Sequence, residues 1–153
     1  MAQQPSKDRT PDVIASSCLG VRFRMLNRVV SKVYDDALRP FGLRTSQLNI
    51  LVATAKMGLA RPAVISERLF LDVSTLSRNV ERMRENGWIE LLEDEHDARA
   101  HSLRLTPKGR GLLDRVRPAW EEAQERVVAL VGEETGAALD AAIERVRAAE
   151  SAI

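Results

Sequence analysis

Residues 72–86 combine hydroxyl side chains with arginines at spacings typical of a helix surface. Leu76, Val80 and Met83 follow one another at steps of four and three residues, which predicts a helix packed on a core along one face. Its outward and flanking surfaces carry, among other polar residues, Ser74, Thr75, Ser77, Arg78 and Arg82. Hydroxyls bond phosphates or base edges, and arginine can form bidentate bonds to guanine in a major groove. The segment is therefore a candidate surface for a DNA duplex, with an ordinary solvated helix face as the alternative.

A second candidate surface is the polar stretch 93–101. It separates two stretches in which apolar residues largely alternate, 88–91 and 102–105, and this pattern predicts a β-hairpin with a long exposed tip. Arg99 at such a tip can enter a minor groove, where narrow tracts concentrate negative potential. Asp97 could hold its guanidinium by a charge-assisted hydrogen bond. The acidic residues of this tip would also repel phosphate, so a mobile acidic loop is the alternative.

Other side chains with reactive potential are few. Cys18 is the single cysteine, which excludes an internal disulfide and agrees with a reducing compartment. It is either a redox sensor or a small structural residue, and Arg22 is the basic residue that could lie one helical turn on. His96 and His101 match no tight metal-ligand spacing, so we expect no metal and no cofactor. The chain has no Ser/His/Asp, Cys/His or phosphate-cradling glycine arrangement, so we do not expect an enzyme.

Helical periodicity accounts for the elements that must position these groups. Apolar residues at three- and four-residue steps predict helices over 12–39, 45–57, 62–69, 72–86 and 107–131, with a last helix after Gly132. Pro118 predicts a kink inside the fifth of them. Three helices followed by a hairpin give a mainly α fold with a small β-hairpin wing, a winged helix-turn-helix.

This pattern divides the chain into four predicted regions. We expect a flexible arm at 1–10, a dimerisation helix at 11–40, a winged helix-turn-helix DNA-binding domain at 41–106 and C-terminal dimerisation helices at 107–153. The apolar stripe of the first helix is wider than one small domain needs, and apolar surface of that size usually marks an interface. A two-fold homodimer would place two recognition helices about 34 Å apart, which matches a palindromic operator.

Composition and charge agree with this picture. Of 153 residues, 44% are hydrophobic and 29% charged, and the net charge is +1. Residues 1–110 carry 18 basic and 13 acidic side chains, whereas residues 111–153 carry 5 and 9, so a mildly basic body precedes an acidic end. That asymmetry is compatible with binding a polyanion on one face. No apolar run approaches the roughly 20 residues that span a bilayer, so we expect a cytoplasmic protein with no membrane partner.

The stretch 41–109 resembles the multiple-antibiotic-resistance regulator (MarR) family. The matching residues are Phe41-Gly42-Leu43, Gln47, Asp72-Val73-Ser74-Thr75-Leu76-Ser77-Arg78, Gly87-Trp88-Ile89, Asp97 with Arg99, and Leu105-Thr106-Pro107-Lys108-Gly109. Their order and spacing together are specific, and the flanking long helices extend the resemblance over nearly the whole chain. It implies an obligate homodimer with interleaved terminal helices, in which helix 72–86 enters the major groove and the wing reaches the adjacent minor groove.

The resemblance also implies a regulator, often a repressor, that a small aromatic or anionic effector releases from its operator. Arg22, Tyr34 and Trp120 are candidate residues of the effector pocket. A redox-responsive regulator that senses through Cys18 is one alternative, although this cysteine lies about two residues, over half a helical turn, from the position of the family's hydroperoxide sensors. A winged-helix protein-interaction module without DNA binding is another, but it would not need arginines at both the helix and the wing.

Three positions depart from the family's pattern. Phe70 occupies the turn of the helix-turn-helix, where glycine is common, so its backbone must keep a negative φ or tolerate strain. Arg44 stands where a threonine commonly caps the second helix, so the reciprocal cap with Gln47 is expected to be lost, with Thr45 as a substitute. Ala98 replaces a basic residue beside the wing arginine, which should weaken contact with the DNA backbone or minor groove.

Overall fold

The computed structural model describes the backbone of residues 9–94 and 97–150, and the side chains of residues 10–93 and 101–150. The helices are α1 (Arg9–Ser17), α2 (Leu19–Leu38), a 3-10 turn (Arg39–Phe41), α3 (Thr45–Met57), α4 (Pro62–Leu69), α5 (Val73–Glu85), α6 (Pro107–Val131) and α7 (Glu134–Glu150). Strands β1 (Ile89–Asp94) and β2 (Asp97–Leu105) form one antiparallel hairpin between α5 and α6. The order confirms the predicted mainly α, winged helix-turn-helix fold. Most of the predicted arm at 1–10 lies outside the described residues.

The prediction of a single helix over 12–39 is wrong, because the chain leaves the helical conformation at Cys18. There φ is −70° and ψ is 106°, which separates α1 from α2. The hydroxyls of Ser16 and Ser17 both donate to the Val13 carbonyl, and such local bonds compete with helical ones. Gly20 lowers helix propensity just beyond the break.

The start of α3 is capped by a residue from the preceding helix. Asp35 Oδ1 accepts the Thr45 backbone N–H at 2.8 Å and the Thr45 hydroxyl at 2.6 Å. Gln47 Oε1 accepts the Arg44 backbone N–H at 3.0 Å. The expectation that the whole reciprocal cap is lost is therefore wrong, because the Gln47 half remains. The Arg44 side chain has no acceptor for the other half, and Asp35 instead satisfies the Thr45 N–H at the helix start. Thr45 donates here instead of acting as the cap.

The turn between α4 and α5 takes the glycine-like conformation in spite of its phenylalanine. Phe70 has φ 51° and ψ 41°, the one positive φ outside glycine in the described part of the chain. Its N–H donates to the Glu67 carbonyl at 3.3 Å, and the Leu71 N–H donates to the Ser66 carbonyl at 2.9 Å. These two bonds make the Schellman motif that commonly ends helices at a left-handed residue. The turn thus tolerates strain, the second possibility that the sequence left open.

The wing is more regular than its sequence predicts. The predicted hairpin is confirmed, but the long tip predicted over 93–101 is wrong, since β1 runs to Asp94 and β2 begins at Asp97. The register pairs Ile89 with Leu105 and Glu93 with His101, followed by an irregularity before Asp94 meets Asp97. Antiparallel strands pair through their backbones, so the polarity of the side chains over 93–101 did not by itself mark a loop.

A third short segment pairs with the wing. Ala60, between α3 and α4, exchanges two backbone hydrogen bonds with Leu103, at 3.0 Å and 2.8 Å. One core then joins the end of α2, α3, α4, α5, the base of the wing and the first half of α6, with Leu38, Ile50, Leu51, Ile65, Met83, Leu103 and Leu112 among its most buried members. The recognition elements are thus fixed to one rigid framework.

The terminal helices are far less covered. Helix α6 continues without interruption through Pro118, and its second half packs on α2 through Val33, Ala123 and Val127. No residue of α7 is buried. Large apolar side chains lie exposed on α1 and α2 (Val13, Ile14, Leu19, Val21, Phe23, Met25, Val29) and on α7 (Leu139, Ile143, Val146). In the described ranges 9–94 and 97–150, no helix is both long enough and apolar enough to cross a membrane.

Candidate nucleic-acid interface

Helix α5 divides cleanly into a buried and an exposed side. Leu76, Val80 and Met83 are buried in the core, as their spacing predicts. Ser74, Ser77, Arg78 and Arg82 are exposed, and Thr75 is half-buried. The structure therefore brings all five predicted contact residues of this helix to its outer and flanking surfaces, where a duplex can reach them.

The first turn of α5 holds a compact network that we call the cap network, formed by Asp72, Ser74 and Thr75. Asp72 caps the helix: its Oδ1 accepts the Thr75 backbone N–H at 2.9 Å. The Ser74 hydroxyl donates to the same Oδ1 at 2.6 Å, and the Thr75 hydroxyl donates to Oδ2 at 2.5 Å. The sequence identified these hydroxyls as candidates but not their prior engagement with Asp72.

These bonds keep Asp72 ionised. The hydroxyl of Ser74, then the hydroxyl and N–H of Thr75, hold the pKa of the Asp72 carboxyl well below its ordinary value. A lowered folded-state pKa means that this group stabilises the folded chain above its ordinary pKa. The contribution is lost only as the pH falls through the lowered value. The cap network is therefore intact throughout the neutral range.

The arginines of α5 extend along the exposed side. Arg78 Nη2 lies 3.5 Å from Ser74 Oγ, one helical turn away. Arg82 is exposed one turn further on, and its backbone carbonyl accepts the Asn86 side-chain amide at 2.7 Å. The neighbouring Arg84, in contrast, pairs with Glu81 at 2.7 Å. Arg78 and Arg82 thus form a row of positive charge along one side of the helix.

Val73 is an exposed apolar residue that the sequence analysis missed. It lies three residues before Leu76, so periodicity alone would place it on the core stripe, yet 72% of its surface is exposed. Helical side chains lean toward the N-terminus, so the first residue of a helix projects past its end. The signal in the sequence for this exposure was the position of Val73 directly after the capping residue Asp72. A valine there can contact a thymine methyl group.

The base of the wing is held by a second set of contacts, the hairpin anchor, formed by Trp88, Thr106 and Gly109. Thr106 caps α6 by accepting the Gly109 N–H at 3.0 Å, and its hydroxyl donates to the Gly87 carbonyl at 2.6 Å. The Thr106 N–H donates to the Trp88 carbonyl at 3.1 Å. A Cβ on Gly109 would lie 2.2 Å from that carbonyl oxygen, so only glycine permits this approach. The wing therefore leaves α6 in a fixed direction.

Two predicted wing residues are placed by their backbone alone. Asp97 and Arg99 belong to β2, and their side chains lie outside the described residues, as do those of Ala98 and the tip at 95–96. Their roles stay predictions. Lower in the hairpin, Arg104 pairs with Glu90 across the strands at 2.8 Å, which neutralises that arginine.

The structure places Arg22, Tyr34 and Trp120 in three different surroundings. The Arg22 guanidinium donates to the Ser16 carbonyl across the break between α1 and α2. Tyr34 donates to Gln124 between α2 and α6, and burial raises the pKa of its hydroxyl. Cys18 is half-buried at the same break, with Sγ 3.7 Å from the position of a Cβ on Gly20.

Trp120, in contrast, borders an open cavity of about 570 Å³ between α3, α4 and α6. Apolar side chains form most of its wall, namely Leu48, Val52, Ala53, Leu69, Leu113, Val116 and Trp120. Lys56 and Arg68 add positive charge and Asp114 one negative charge, while Arg117 pairs with Glu121 at 2.7 Å. Such a mixture suits a small molecule with an apolar body and an anionic group. In the described ranges, no three His, Cys, Asp or Glu side chains cluster as metal ligands would.

Comparison with known proteins gives a consistent result. Residues 41–100 match the model of the MarR family. The multiple antibiotic resistance protein MarR of Salmonella typhimurium is 27% identical over 118 residues, which cover 76% of this chain and 82% of that protein. The HTH-type transcriptional regulator PecS of Dickeya dadantii is 24% identical over 94% of this chain and 86% of its own.

Solved structures extend the similarity to the terminal helices. The transcriptional regulator MosR of M. tuberculosis, crystallised in complex with DNA, is 31% identical, covers 89% of this chain and 98% of its own, and superposes with a TM-score of 0.74. A mutant MarR from E. coli complexed with operator DNA shares the fold, with a TM-score of 0.77 at 19% identity over 88% of this chain and 96% of its own. These relatives are transcription regulators, which agrees with the prediction that the chain is not an enzyme. The chain belongs to the MarR family of transcription regulators.

Proposed function

We propose that this protein is a homodimeric, sequence-specific DNA-binding repressor that acts on a palindromic operator in the cytoplasm. The observation that carries the proposal is α5: its inner side is buried in the core, while its outer side presents Ser74, Ser77, Arg78 and Arg82 to solvent. A helix so mounted can enter a major groove with its N-terminal residues toward the bases. Arg78 then reads or positions a base edge, and Arg82 contacts phosphate.

The wing supplies the second contact in this proposal. The hairpin anchor fixes the base of the wing against the start of α6. Arg99 would then reach the minor groove beside the major groove that α5 occupies, and Asp97 would orient it.

The exposed apolar surface of α1, α2 and α7 supports the homodimer. These helices carry ten large apolar side chains that the chain itself leaves exposed. A second copy, related by a two-fold axis, would cover them and place two copies of α5 one helical turn of DNA apart.

The cavity beside Trp120 supports an effector site. Its walls include α3 and α4 of the predicted DNA-binding domain and α6, which leads to the terminal helices. A ligand there would contact both parts of the molecule and could shift the spacing of the recognition helices. We propose an aromatic anion as its occupant. Titration with benzoate should quench the fluorescence of Trp120, because Trp88, the other tryptophan, is buried away from this cavity. The Trp120→Phe variant should lose the response. Unchanged fluorescence of the wild type would argue against this ligand class.

Selection of genomic DNA fragments by the purified protein, at low and high salt, tests the proposed function. An enriched palindrome that is lost as salt rises would support a sequence-specific dimer, because phosphate contacts release counterions. Capture without sequence preference, or none, would contradict it and favour a protein-interaction module. The redox alternative is tested on the same fragment: if Cys18 is a sensor, Cys18→Ser should abolish peroxide-induced release, and unchanged release would exclude it.

A further inference from the structure

The hydroxyl protons at the start of α5 already have partners. Ser74 and Thr75 each donate to the Asp72 carboxylate, at 2.6 Å and 2.5 Å. A hydroxyl has one proton and two lone pairs, so a hydroxyl that donates to a carboxylate retains only acceptor capacity. The Arg78 guanidinium, 3.5 Å from Ser74 Oγ, lies on that acceptor side. Short bonds to an ionised acceptor are also the stronger class, so DNA would not readily reclaim these protons.

This polarity restricts what the two hydroxyls can bind in a duplex. Phosphate oxygens, guanine O6 and N7, and thymine O4 are all acceptors, and an acceptor-only hydroxyl cannot bond them. The hydrogen-bond donors that base edges present in the major groove are the amino groups of adenine and cytosine. We propose that Asp72 fixes Ser74 and Thr75 as hydrogen-bond acceptors, so that the first turn of α5 selects bases with an exocyclic amine. This inference rests on the proposed DNA-binding function and specifies its base preference.

Val73 narrows the choice between the two amino-bearing bases. Its side chain is 72% exposed at the same end of the helix. Of the two pairs that offer an amine, A·T also presents the thymine methyl group, whereas G·C presents none. An acceptor hydroxyl beside an exposed valine therefore matches an A·T pair. The sequence alone left these hydroxyls equally suited to phosphates, and the cap network removes that option.

The test is selection from a randomised duplex library by the full-length wild type and three variants. Ser74→Ala identifies the column of the site that depends on this hydroxyl. Asp72→Ser keeps a residue that caps helices well but removes the carboxylate that holds the two protons. Glu85→Gln removes one negative charge from the same helix away from the cap network, and so controls for the general effect of charge on affinity.

In the wild type, the Ser74-dependent column should favour adenine about two- to tenfold, the range of one net hydrogen bond. Ser74→Ala should lose this preference and keep the others. Asp72→Ser should admit guanine or thymine in that column. Glu85→Gln should raise the affinity for DNA without changing the base preference in that column. A wild-type preference for guanine or thymine there, or an Asp72→Ser profile identical to the wild type, would overturn the inference alone. Absence of any enriched site would overturn the proposed function and the inference with it.

If Asp72→Ser fails to fold, as circular dichroism would show, the Ser74→Ala comparison still decides. Loss of an adenine preference supports the acceptor role, and loss of a guanine preference contradicts it.

Discussion

Helices α5 and α6 flank the wing in sequence, and each begins at a residue whose side chain caps it. The two caps use similar chemistry for different purposes. At α6, the hairpin anchor directs every polar group of Thr106 to an internal partner, and Gly109 brings the backbone against Trp88. At α5, the cap network satisfies the helix end but leaves hydroxyl lone pairs, Val73 and Arg78 facing outward. One helix start fixes the wing, and the other keeps capacity for a partner. The difference separates residues that should control stability from those that should control DNA recognition.

Gly109→Ala should have the largest effect and should act on stability. The new methyl group would lie 2.2 Å from the Trp88 carbonyl oxygen. The backbone segments that carry the two groups cannot move independently of each other. We expect a loss of about 3 kcal/mol in the free energy of unfolding, measured by urea denaturation. Gly111→Ala is the matched control, since nothing beyond its chain neighbours and its own helix backbone lies within 4 Å of its Cβ position, and it should stabilise the chain by up to about 1 kcal/mol. Equal stability of the two variants would refute the close approach.

Arg78→Ala should act on recognition instead. The variant should unfold like the wild type but lose about 1–3 kcal/mol of operator-binding free energy and relax the preference at one position. Fluorescence anisotropy with the selected operator and single-base variants measures both effects.

Arg82→Ala and Arg99→Ala serve as comparisons for that measurement. Arg82→Ala should reduce the slope of log affinity against log salt by about 1, as loss of one phosphate contact does. Arg99→Ala should weaken binding to all sequences. If all three variants bind like the parent, the assignment of α5 and the wing to the DNA is wrong.

Thr106→Ala should cost about 1 kcal/mol of unfolding free energy, since it removes an N-cap and the bond to the Gly87 carbonyl. Thr106→Ser keeps the hydroxyl and should restore most of this loss. Base preference should stay unchanged in both, in contrast to Asp72→Ser. A shift in base preference at Thr106→Ala would show that the two helix starts are not separable.

Phe70→Gly should give the smallest effect, a stabilisation of up to about 1 kcal/mol. It removes the cost of a side chain at φ 51° while the Schellman bonds remain. Phe70→Ala keeps that backbone cost and removes the ring, so the difference between the two variants in thermal unfolding isolates the backbone contribution. A glycine variant less stable than the alanine variant would show that φ is not strained.

Much of this architecture is predictable because it rests on local patterns. The caps at Asp72 and Thr106 and the proline at the start of α4 each act within a few residues. The core spacing of Leu76, Val80 and Met83 is equally local, and the structure confirms the prediction made from it. Local chemistry also explains the break at Cys18, but competing serine bonds are weaker signals than a continuous apolar stripe. The pattern therefore predicted one helix where the chain forms two.

The contacts that escaped prediction join residues far apart in sequence or depend on hydrogen direction. Asp35 caps α3 from ten residues away, and Ala60 pairs with Leu103 across the helix-turn-helix. The hydroxyls of Ser74 and Thr75 were identified by type, but their polarity follows from distances to Asp72. Tyr34 and Trp120 share aromatic character but lie in different surroundings, one bonded to Gln124 and the other beside the cavity.

Hydrogen–deuterium exchange with and without the selected operator tests the central claim most directly. The first amides of a helix lack acceptors in a preceding helical turn, so a bound duplex that excludes water should slow their exchange further than the cap alone does. If α5 and the wing bind DNA, the operator should slow exchange in peptides covering 73–77 and 93–101, with α7 unchanged. Protection confined to α7 or to the helices α1 and α2, with residues 73–77 exchanging as in the free protein, would contradict the account.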